Sequence, residues 1–124
     1  MRFYAIGILI SLSLSVQIFA EEKLQEMVDN TCGTCHLTGK VSKEKLNRMA
    51  APPMWGVAKK IKVNIQNKQE QIKFMIDFVL NPNPKKMLFP QETIDRFGYM
   101  PSQKDIISKK DLQTIAEYLL TKRY

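Results

Sequence analysis

Both cysteines and the single histidine of the chain fall within five consecutive residues, Cys32-Gly33-Thr34-Cys35-His36. Thiols three positions apart on one helical turn can engage a common partner, and the imidazole that follows approaches that partner from the same end. Four kinds of chemistry use such a group. A disulfide across this pair closes a very short loop, removes little chain entropy and leaves the histidine unexplained. A redox dithiol shares the cysteine spacing, but it sits where a strand feeds a helix, a context found nowhere in this sequence. A structural zinc ion normally takes four Cys or His ligands, one more than the chain owns. Covalent attachment of haem, with His36 as an axial iron ligand, accounts for all three residues at their observed spacing.

That chemistry makes further demands. Gly33 keeps the turn between the thiols uncrowded. A metal-bound imidazole normally donates its other N–H to a carbonyl or carboxylate, which fixes the ring and raises its basicity. A second axial ligand is also needed if the iron is to change oxidation state without rearranging, and a methionine thioether suits it. Met27 and Met75 stand at helical core spacing, whereas Met49, Met54, Met87 and Met100 lie outside the predicted helices.

The elements that position these groups are helical. Leu24, Met27 and Val28 predict a helix over about 22–31 that delivers the cysteine pair. Asn67-Lys68-Gln69-Glu70 has the form of a helix cap, and Ile72, Met75, Ile76 and Val79 recur at helical spacing until Asn81-Pro82-Asn83-Pro84 ends the run. Ser108 opens a C-terminal helix carrying Leu112, Ile115, Ala116, Leu119 and Leu120. The expectation is an all-α domain of about three main helices. Irregular stretches over 37–66 and 85–107, with a short helix near 91–97, are long for a compact domain and point to a large group for them to pack on.

The N-terminal end is of another kind. Arg2 precedes an apolar run from Phe3 to Val16, and the polarity changes abruptly after Ala20, at Glu21-Glu22. This predicts a cleaved signal peptide over 1–20 and a single domain over 21–124, located in the periplasm. The alternative is an uncleaved membrane anchor. Lys+Arg number 19 against 12 Asp+Glu, a formal charge of +7, which suits acidic partner surfaces. Export excludes nucleic acid, and a membrane partner is expected only if residues 1–20 are retained.

With these motifs in view, the chain resembles the monohaem c-type cytochromes of the small bacterial class I type. The resemblance rests on the attachment motif, on Ala51-Pro52-Pro53-Met54-Trp55-Gly56 and on Phe97-Gly98-Tyr99-Met100-Pro101. It implies a class I cytochrome c fold wrapped around one covalent haem c. It also implies Met100 as the second axial ligand and a carbonyl of Pro52 or Pro53 as the acceptor for His36. Trp55 and Tyr99 are then candidates for the haem surroundings, and Arg48 and Arg96 for propionate partners. One departure is Leu37, where the family very often has glycine after the attachment histidine.

The implied function is an electron carrier, not an enzyme in itself. It would shuttle single electrons from an upstream quinol or dehydrogenase complex to a terminal oxidase or reductase. Two alternatives stand beside it: a haem with a labile sixth ligand acting as a sensor or peroxidase-like enzyme, and a fixed electron-transfer subunit of a dehydrogenase. Peroxidase chemistry would lack a distal histidine, since His36 is already committed.

Overall fold

The computed structural model describes the backbone of residues 2–124 and the side chains of residues 16–124. Among the described residues all regular structure is helical, as the periodicity predicts. Helix α1 spans Arg2–Cys32, α2 Lys43–Arg48, α3 Met54–Asn64, α4 Lys68–Leu80, α5 Gln91–Phe97 and α6 Lys109–Thr121, with a 3-10 turn at Pro84–Lys86.

Caps and breakers set the boundaries. The Asn67 side chain accepts from the backbone N–H groups of Gln69 and Glu70, and the Ser108 hydroxyl from that of Asp111, satisfying donors that the first helical turn leaves without partners. α4 stops at Asn81, where Pro82 follows. α5 stops at Gly98, whose φ of 73° and ψ of −162° fall in a region essentially reserved for glycine.

α6 is the hub, packing on α4, α3 and α1. Its Ile115 and Leu119 are buried to within 2% of full enclosure, beside Leu112, Ala116 and Leu120. Against them stand Val28 of α1, Met54, Ala58 and Ile61 of α3, and Ile72, Met75 and Ile76 of α4. Each large side chain so enclosed contributes about 1.5–3 kcal/mol over leaving it in water.

The expectation of about three main helices is corrected by α3. It lies inside a stretch predicted to be irregular, yet Met54, Val57, Ala58, Ile61 and Ile65 have the required spacing. The paired prolines before it and the lysines interleaved through it mask that periodicity. The first helix also runs well upstream of the predicted start. The signal-peptide reading falls mostly on residues 1–15, whose side chains lie outside those described. Among the described residues, no helix is long and apolar enough to cross a membrane.

Candidate functional site

The Cys32-Gly33-Thr34-Cys35-His36 segment sits at the C-terminal end of α1. The His36 N–H reaches back to the Cys32 carbonyl at 2.9 Å, and the Cys35 N–H to the same oxygen at 3.3 Å, so the segment turns sharply off the helix. A Cβ on Gly33 would stand closer to the Asp29 carbonyl oxygen than real Cβ contacts allow. Glycine is required here by space.

Beyond the turn, the chain is tied to the lead-in of α3. The Ala50 N–H donates to the Cys35 carbonyl at 3.1 Å and the Met54 N–H to the Leu37 carbonyl at 2.9 Å. These bonds frame His36 on both sides and set Pro52 opposite it. His36 Nδ1 lies 2.6 Å from the Pro52 carbonyl oxygen. A carbonyl only accepts, so Nδ1 carries the proton and Nε2 keeps its lone pair. Burial pushes the His36 pKa below its ordinary value, and the Pro52 bond opposes that shift without reversing it. The ring is thus a neutral, oriented donor. Pro53 has another task, its carbonyl accepting from the Gly56 and Val57 N–H groups at the start of α3.

Leu37 is buried, at 6% exposure, and fills the space under this segment. Gln25 completes the support: its amide N–H groups donate to the Asp29 carboxylate and to the Thr38 carbonyl, and its oxygen accepts from Tyr118 and Lys122. One side chain therefore joins α1, the segment after His36 and the end of α6. No spacing in the sequence announces it, since Gln25 and Tyr118 stand at opposite ends of the chain.

Cys32 and Cys35 are free thiols, the first half-buried and the second exposed. Burial, helped by the negative charge of Asp29, pushes the Cys32 pKa up to about 11. A redox dithiol needs an easily formed thiolate, so this environment disfavours that chemistry. Among the described residues, no three His, Cys, Asp or Glu side chains gather as a metal-binding group.

Met100 belongs to a second arm, between α5 and α6. The Ser102 hydroxyl donates to the Leu80 carbonyl and the Gln103 N–H to the Val79 carbonyl, hanging the Met100-Pro101 segment from the end of α4. Met100 is half-buried and lines a small cleft with Phe78, Pro82, Pro84, Met87 and Tyr99. No described hydrogen bond joins this arm to His36. Trp55 and Tyr99 stay outside the core, 47% and 57% exposed. Arg48 pairs with Glu44, and Arg96 lies over the Phe97 ring.

No side chain is fully buried over 38–53 or over 81–106, where Leu88 is the one residue packed against the core. Each of these two segments holds one of the arms just described.

No protein-family model matches the chain, and no solved structure matches it. It is similar to an uncharacterized protein of Aquifex aeolicus (strain VF5), with 26% identity over 129 residues, covering 90% of this chain and 84% of that protein.

Proposed function

We propose that the chain is a monohaem c-type cytochrome of class I architecture that carries single electrons between partner proteins in the periplasm. The observation that carries this reading is the His36 imidazole, placed directly after the two thiols and held by the Pro52 carbonyl with Nε2 left as the donor atom. Cys32 and Cys35 would hold the haem covalently through their sulfurs, and His36 and Met100 would supply ligands to its iron. Bound haem supplies a one-electron iron couple.

The chain's own residues do the rest. The Pro52 carbonyl fixes the orientation and basicity of the imidazole. Leu37 and the Gln25 network hold the turn that carries it. The Ser102 and Gln103 bonds to α4 hold the Met100 arm. Trp55 and Tyr99, exposed beside the two arms, offer apolar surface to a flat prosthetic group. The net positive charge favours acidic docking surfaces on redox partners such as an oxidase, reductase or dehydrogenase complex.

The test is the absorption spectrum of protein matured in a periplasm equipped for haem attachment, reduced, with and without carbon monoxide. A low-spin c-type spectrum unmoved by carbon monoxide is expected. A clear shift would put sensing or peroxidase-like chemistry in place of shuttling. Absence of covalent haem would end the cytochrome reading altogether.

A further inference from the structure

Six of the seven methionines have described side chains, and their environments sort them sharply. Met54 and Met75 are core residues, 6% and 5% exposed, and Met27 packs against the same core. Met49 precedes Ala50, whose N–H is bonded to Cys35, so it stands on the histidine side of the molecule. Met87 and Met100 remain, both half-buried and both lining the cleft with Phe78, Pro82 and Tyr99.

Both are carried by arms fastened to the same helix. Met87 follows the 3-10 turn, which the Asn83 side chain caps and which the Lys86–Asp77 ion pair ties to α4. Met100 lies just before Ser102 and Gln103, which bond to the Leu80 and Val79 carbonyls at the end of the same helix. The last turns of α4 thus present two thioethers at one place, from segments more than ten residues apart in sequence.

We propose that Met87 is a second sulfur donor for the position assigned to Met100, so that the sixth ligand is shared between two methionines. The inference rests on the haem reading above. Either thioether is neutral and soft, so exchanging one for the other changes neither the charge of the site nor its proton balance. Met side chains are long and unbranched, so each sulfur can reach or withdraw by rotation about single bonds while its backbone stays tied to α4.

The test compares haem-loaded wild type with Met100→Leu, Met87→Leu and the double variant, the leucines keeping side-chain volume close to native. The readouts are the sulfur-to-iron charge-transfer band of the oxidised protein, the strongly shifted methionine methyl resonance in proton NMR, and carbon monoxide binding when reduced. In Met100→Leu the band and a shifted methyl signal are expected to persist, at a changed methyl position, and both are expected to vanish only in the double variant. The double variant alone is expected to bind carbon monoxide fully. If Met100→Leu loses the band and binds carbon monoxide as readily as the double variant, Met87 is no donor. If the double variant keeps the band, the sulfur comes from elsewhere and the proposal is equally overturned. Failure of the cytochrome reading itself is distinct, because wild type would then carry no covalent haem.

Discussion

An imidazole stripped of water holds its proton less tightly, and His36 shows that effect. Its pKa lies below that of an exposed histidine, because burial disfavours the charged ring more than the Pro52 bond favours it. On the proposed haem reading, His36→Ala is expected to keep haem on the two cysteines and lose the low-spin spectrum, which absorption of the purified protein would register. Gly33→Ala is expected to destabilise by about 1–3 kcal/mol, because the added carbon meets backbone and not a movable side chain. Urea unfolding of the loaded protein measures it, and an unchanged midpoint would mean that the turn relaxes freely. The thiols and the histidine were legible in the sequence because their chemistry depends on local spacing. The choice between Pro52 and Pro53 was not, since it depends on which carbonyl α3 uses for its own first turn.

At the scale of elements, legibility followed the strength of local signals. α4 and α6 start at their expected caps and bury their expected faces, and α5 occupies the expected 91–97. α3 was hidden because prolines and lysines are weak evidence for a helix until the partner surface of α6 is known. Stability should follow the same hierarchy. Leu119→Ala, at the centre of the hub, is expected to cost about 2–5 kcal/mol, and Ser108→Ala about 1 kcal/mol through the lost cap. Chemical denaturation of both variants checks the order; a cap variant costlier than the core variant would overturn the hub assignment.

For the whole molecule, two features set behaviour. The segments over 38–53 and 81–106 hold no fully buried side chain, and on the proposed reading haem would supply the surface they pack on. Cys32→Ala with Cys35→Ala should lower the thermal midpoint markedly, and a melt as sharp and as high as that of loaded wild type would refute this. The second feature is charge. Lys59, Lys85, Lys109 and Lys110 are exposed, whereas Lys62 and Lys86 are engaged with the Lys122 carbonyl and Asp77. Stopped-flow oxidation of the reduced protein by anionic ferricyanide is expected to slow as salt is added, and oxidation by cationic hexaammineruthenium to quicken. Equal salt dependence for the two reagents would mean that the basic surface does not reach the site of electron exit.

Gly98 holds a backbone shape that side-chain-bearing residues avoid, yet nothing lies within 4 Å of the place a Cβ would take. What forbids substitution there is the bend leading to Met100, not crowding. On the proposed reading the glycine and the methionine form one heritable unit. Lineages that keep the sulfur should keep the glycine two positions before it, and lineages that abandon the sulfur should be free to fill the glycine site with almost anything. The two positions should therefore drift together through descent, although neither side chain supports the other.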